Sequence, residues 1–142
     1  MYLLDTNTCI YAIRRRPPGV QARLNALDPD EVALSVVVAM ELEVVAMRAQ
    51  AQAYAPTVRR WLAVFNILPL GDDSREHFAR VKCDLMARGQ LIGPMDVLIA
   101  AHALSLDATL VPAPNPGYDP PNGSRFWAPR LTEVGARERA SR

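Results

Sequence analysis

Short apolar runs separated by stretches of helical spacing most limit the fold open to this chain. The runs fall at 2–4, 32–36, 66–70 and 108–111. Strands of this kind, each followed by a helix, point to βαβ units and a parallel sheet covered on both faces. The spacing places the intervening helices as follows. Thr6 or Asn7 suits the N-cap of a helix through Ile13, which Pro17 and Pro18 stop. Pro18 opens a second helix with Val20, Leu24 and Leu27 on one face, and Asp28-Pro29-Asp30 is a turn signal. Met40, Val44, Met47 and Ala51, three and four residues apart, predict a helix over 37–52 with these residues on its apolar face. Further helices are expected over 55–65, 75–88 and 95–106. Asp72-Asp73-Ser74 caps the second of these, and Gly89 stands where a C-cap glycine belongs.

With 142 residues the chain has the length of one ordinary domain. That domain is expected over 1–130, with a flexible tail over 131–142. Pro112, Pro114, Pro116, Pro120, Pro121 and Pro129 argue against regular structure beyond the last strand. The N-terminus lacks the basic region and apolar stretch of an export signal, and no window has the ~18 apolar residues of a membrane span. The expected location is the cytoplasm. Cys9 and Cys83 have no partners at metal-ligand spacing and are expected as two buried thiols. The net charge of +1 gives no hint of a nucleic-acid partner. Arg14-Arg15-Arg16, with Arg23 nearby, is a local basic run; it is read first as a solvated face and second as a guide for an RNA backbone.

Three carboxylates stand where this architecture brings distant segments together. Asp5 follows the first strand, Glu41 lies early in the helix after the second, and Asp96 lies in the first turn of the helix after Gly93-Pro94. In open parallel sheets, ligands gather beyond the carboxyl ends of the strands. Taken singly, Glu41 and Asp96 are explained by the helix macrodipole, which favours an acid near an N-terminus by ~0.3–1 kcal/mol. Asp5 is different, because a carboxylate inside an apolar segment is costly unless paired. Two unit charges ~4 Å apart repel by about 4 kcal/mol at an effective dielectric of 20, and a divalent cation removes that conflict. Clustered carboxylates suit Mg²⁺ or Mn²⁺. Zinc is disfavoured, since neither His77 nor His102 falls at a ligand spacing. His102 in its Ala/Leu-rich helix, and Trp61 and Trp127, are read as packing residues. No P-loop, dinucleotide fingerprint or nucleophile elbow is present.

These residues carry a resemblance. Met1-Tyr2-Leu3-Leu4-Asp5-Thr6-Asn7-Thr8 resembles the opening of PIN-domain proteins, specifically the VapC-type toxins of bacterial toxin–antitoxin pairs. Ala33-Leu34-Ser35 with Met40-Glu41-Leu42-Glu43 is similar to the second acidic motif, and 92–103, from Ile92 to Ala103, to the third. The resemblance implies a three-layer α/β/α domain with a mostly parallel sheet. It implies a Mg²⁺- or Mn²⁺-dependent endoribonuclease that hydrolyses RNA phosphodiesters, and a VapB-type antitoxin as partner. Asp5, Glu41 and Asp96 match the family's metal-binding acids, and Thr6 and Asn7 the polar neighbours that orient ligands or water. After Val111 the chain departs from the family, with Pro and Gly at its polar positions; Asp119, or failing it the amide of Asn115, is the expected replacement for the family's fourth polar or acidic residue. The alternative reading is a catalytically impaired module that binds antitoxin or RNA without efficient cleavage. A homodimer is expected, since symmetric pairs are the commonest oligomers. A phosphatase of the haloacid-dehalogenase type, which would need an Asp where Asn7 stands, is disfavoured.

Overall fold

The computed structural model describes residues 1–16, 18–48, 53–90, 92–111 and 113. Its sheet is wholly parallel: β1 (Tyr2–Leu4), β2 (Val32–Ser35), β3 (Asn66–Leu68) and β4 (Thr109–Val111) lie in the order β3-β2-β1-β4. Leu4 pairs with Leu34 on one side and Val111 on the other. The chain therefore steps one way from β1 to β2 and arrives on the opposite side at β4. The end of β1 is the point where strand order reverses, which is where such sheets open a crevice.

Helices cover both faces. Six are present among the described residues: α1 (Thr6–Arg14), α2 (Pro18–Asn25), α3 (Val36–Met47), α4 (Ala55–Leu62), α5 (Ser74–Ala87) and α6 (Pro94–Ser105). Alternation along the strands divides the core. Leu4, Val32 and Leu34 pack with Cys9 of α1, Val37, Val38 and Leu42 of α3 and Val58 of α4. Leu3 and Ala33 turn the other way, onto Ala103 of α6. Beneath α6, Val97 meets Val81 and Leu85 of α5. The result is the three-layer α/β/α arrangement with a parallel sheet that the alternation of strands and helices predicts.

Several local expectations need correction. The N-cap of α1 is Asp5, not Thr6 or Asn7. One residue alone separates strand from helix here, so the acid that ends β1 also caps α1. The second strand ends at Ser35 and Val36 already belongs to α3, because the Ser35 hydroxyl accepts the Val37 N–H and caps the helix. The helix ends at Met47, and the expected continuation over 49–52, with Ala51, lies outside the described residues. Its apolar face is also reassigned. Met40, Val44 and Met47 are exposed, whereas Val37, Val38, Leu42 and Ala46 are buried. The segment is apolar on nearly every side, so spacing alone cannot say which side meets the sheet. Cys83 is exposed on α5, which buries Val81 and Leu85 instead; Cys9 is buried as expected. Helices α4 and α5 end at Leu62 and Ala87, and Gly89 takes the left-handed conformation (φ 65°). Trp61 packs on Phe65 with ring centroids 4.4 Å apart. Trp127, Asn115, Asp119 and the 131–142 tail lie outside the described residues. No described helix is long and apolar enough to cross a membrane.

Candidate active site

Asp5 is built into the junction of β1, α1 and β4. Its backbone N–H donates to the Val111 carbonyl at 3.1 Å, extending the β1–β4 ladder by one residue. Its side chain then turns back to cap α1, Oδ1 accepting the Thr8 N–H at 2.6 Å. Oδ2 accepts the Ala113 N–H at 3.1 Å, so both oxygens are engaged by backbone, one of the donors lying 108 positions away. Thr8 contributes again through its hydroxyl, which donates to the Val111 carbonyl at 3.2 Å. Burial pushes the Asp5 carboxyl above its ordinary pKa; the hydrogen bonds from Thr8 and Ala113 oppose this, and the negative charge of Asp96 adds to it.

Glu41 reaches the same edge from α3. Thr6, the first residue of α1, donates its hydroxyl to Glu41 Oε2, tying the two helices together one residue from Asp5. Asn7 is exposed on the first turn of α1. Asp96 is the third residue of α6, exposed, with its charge felt at Asp5. Among the described residues, no group of three or more His, Cys, Asp or Glu side chains is close enough to hold one ion. The links among the three acids are the charge of Asp96 felt at Asp5 and the hydroxyl of Thr6, the residue after Asp5, on Glu41.

That donor set is entirely carboxylate oxygen, supplemented by the Thr6 hydroxyl. It fits a hard divalent ion of the Mg²⁺ type, which keeps several waters and needs one or two carboxylates from the protein. A cation would also relieve the repulsion that, together with burial, raises the Asp5 pKa. Cys9 offers no competing chemistry, because burial, reinforced by the Asp5 charge, holds its thiol well above the ordinary pKa.

A buried contact behind the acids was not foreseen from sequence. His102 of α6 is fully buried, and its Nδ1 lies 2.8 Å from the Ser35 hydroxyl. Ser35 Oγ also accepts the Val37 N–H, and either the hydroxyl or Nδ1 can donate in its contact with the ring. Burial holds the His102 pKa below its ordinary value, and the Pro69 carbonyl acts in the opposite direction. The pair joins the residue that caps α3 to the interior of α6, the two helices that carry Glu41 and Asp96. Signals for Ser35 existed, as a serine between an apolar strand and a helical run is an N-cap signature. Nothing in the sequence pairs it with a histidine 67 positions away. Arg14, Arg15 and Arg16 are exposed at the far end of α1. Nine helical residues span ~14 Å, so these arginines stand well away from Asp5.

The PIN-domain family profile matches residues 2–117. Ribonuclease VapC2 of Haemophilus influenzae is 33% identical over 111 residues, covering 78% of this chain and 83% of the relative. The tRNA(fMet)-specific endonuclease VapC of Shigella flexneri is 29% identical over the same shares of the two chains. Among solved structures, VapBC2 from Rickettsia felis, bound to a DNA fragment from their promoter, aligns with TM-score 0.69 and 28% identity over 78% of this chain and 84% of that one. FitAcB from Neisseria gonorrhoeae aligns with TM-score 0.67 and 27% identity over 78% and 86%. With the parallel sheet, the switch-point aspartate and these matches in hand, the chain belongs to the PIN-domain family, among its VapC-type members.

Proposed function

We propose that this protein is an endoribonuclease, the toxin of a toxin–antitoxin pair, and that Asp5 and Asp96 hold a Mg²⁺ or Mn²⁺ ion on which cleavage depends. The observation that carries the reading is Asp5: a carboxylate at the strand switch point, engaged through both oxygens and further burdened by the charge of a second acid. Burial raises the pKa of this carboxylate, so holding it ionised at neutral pH costs free energy that a bound cation would offset. The relatives' names supply the reaction, and the assemblies they are solved in supply a VapB-type antitoxin as partner. A homodimer and a cytoplasmic location belong to the same reading.

A divalent cation at this site supplies Lewis-acid polarisation of the scissile phosphate and a lowered pKa for water. The chain's own residues do the positioning. The N–H groups of Thr8 and Ala113 fix the plane of the Asp5 carboxylate. The Thr6 hydroxyl orients Glu41, leaving its other oxygen available to take a proton from water. Asn7, exposed beside them, orients water or a phosphate oxygen. Asp119 is the candidate for the family's fourth acid, to be tested by its substitution.

The test is cleavage of RNA by the full chain with Mg²⁺, with Mn²⁺ and with EDTA. Initiator tRNA is the first substrate to try, since it is the one named for the Shigella relative. Cleavage that needs either ion and stops with EDTA supports the reading. Cleavage undiminished by EDTA would remove the ion. RNA or antitoxin binding with no cleavage under any condition would leave the impaired binding module.

A further inference from the structure

Gly93 caps α6 with a backbone, φ −58° and ψ 145°, that any L-residue adopts before a proline. Backbone conformation therefore gives no reason for a glycine. Space does. A Cβ added at Gly93 would lie 2.9 Å from Asp96 Oδ2 and 3.7 Å from Asp96 Cγ, and it would meet nothing else among the described residues within 4 Å. Gly19 and Gly71, by contrast, have nothing within 4 Å, and Gly89 answers to its positive φ. The clearance at Gly93 is thus taken up by one functional group, the carboxylate of Asp96.

We propose that Gly93 is a positioning residue for Asp96: its missing side chain leaves the space in which the Asp96 carboxylate lies folded back over the start of α6. Asp96 is exposed, so its carboxylate is free to rotate away from an added methyl at little cost to the fold. The acid would then leave the place from which its charge acts on Asp5. An alanine is expected to leave the fold intact and spoil the site. The inference rests on the reading that Asp96 helps hold the cation.

The experiment compares the full-length wild type, Gly93→Ala and Asp96→Asn in three measurements: Mn²⁺ affinity by titration, melting temperature, and RNA cleavage with Mn²⁺. For Gly93→Ala the melting temperature should stay within about 5 °C of the wild type, because alanine restricts the unfolded chain but is a poorer N-cap than glycine. Its Mn²⁺ affinity should fall about 10–100-fold, the range seen when a group that orients a metal ligand is removed. Wild-type affinity and cleavage in Gly93→Ala, with both abolished in Asp96→Asn, would overturn the role of Gly93 alone. A melting temperature lowered by more than about 5 °C, beyond what a ~1 kcal/mol effect does in a domain of this size, would also overturn it, since the crowding would then fall on the fold. Wild-type Mn²⁺ affinity in Asp96→Asn would instead remove the reading beneath it.

Discussion

Asp5 and Asp96 carry the same functional group, and the charge of Asp96 is felt at Asp5, yet the fold treats them in opposite ways. Asp5 is part of the architecture: it ends β1, caps α1 and accepts backbone hydrogen bonds from two directions. Asp96 stands exposed on the first turn of α6, where the clearance beside Gly93 accommodates its carboxylate. One acid is fixed by hydrogen bonds and costs energy to keep charged. The other is nearly independent of the fold and depends on shape alone. If the two acids share a cation as proposed, Asp5 is its rigid anchor and Asp96 its adjustable ligand, and substitutions should separate along the same line.

The largest effects are expected at the acids themselves. Asp96→Asn should lower RNA cleavage by about three orders of magnitude, on the scale of the several kcal/mol that Lewis-acid assistance provides. Its melting temperature should stay within roughly a degree or two of the wild type. Asp5→Ala should forfeit as much activity and also its cap, at about 1 kcal/mol. In a domain of this size that is roughly 2–5 °C of melting temperature. Equal thermal behaviour in the two variants would erase the distinction between anchor and adjustable ligand.

The pH dependence of stability sharpens the same contrast. The folded pKa of Asp5 lies above its ordinary 3.8, so its contribution is fully present below 3.8 and is lost as pH rises through the folded value. A cation bound at neutral pH should restore that stability, so Mn²⁺ should raise the melting temperature at about pH 7 and not in acid. At 100 times its dissociation constant a ligand adds about 2.7 kcal/mol. His102 has the opposite sign. Its folded pKa lies below 6.5, so its contribution is fully present above 6.5 and declines as pH falls toward the folded value. Thermal melts of His102→Asn across about pH 5 to 8 should show a flatter profile than the wild type over that window. An unchanged slope would mean that His102 is not the group titrating.

The smallest effect is expected at the far end of α1. Replacing Arg14, Arg15 and Arg16 together by alanine should weaken RNA binding only at low salt. The slope of log affinity against log salt should flatten by at most about 0.7 for each RNA phosphate these arginines neutralise. Unchanged salt dependence would assign them to the solvated surface.

β2 is buried at every residue and β1 at Leu3 and Leu4, and such apolar runs made the order of strands and helices legible, although the edge strand β3 leaves Asn66 and Ile67 exposed. Asp5 was legible as an anomaly for the same reason, a charge at the end of Leu3-Leu4. Where physics offered no contrast, the sequence was silent. Val36 to Met47 is apolar almost all round, so the spacing of Met40, Val44 and Met47 did not reveal that Val37, Val38, Leu42 and Ala46 are the buried side. Thr6 with Glu41, Ser35 with His102 and Ala113 with Asp5 are pairings across 35, 67 and 108 positions, set by the crossing of helices and strands. Gly93 was visible as punctuation before a proline. Its nearness to Asp96 needed three dimensions.

The claim on which the rest depends is that Asp5 and Asp96 hold one divalent cation between them. Titrating Mn²⁺ into the wild type, Asp5→Asn, Asp96→Asn and the double variant at about pH 7 tests it directly. Shared coordination predicts that each single variant loses at least about tenfold in affinity. It also predicts that the double variant loses far less than the product of the two single effects, as coupled residues do. Single effects that multiply in the double variant, or either single variant binding as tightly as the wild type, would contradict it.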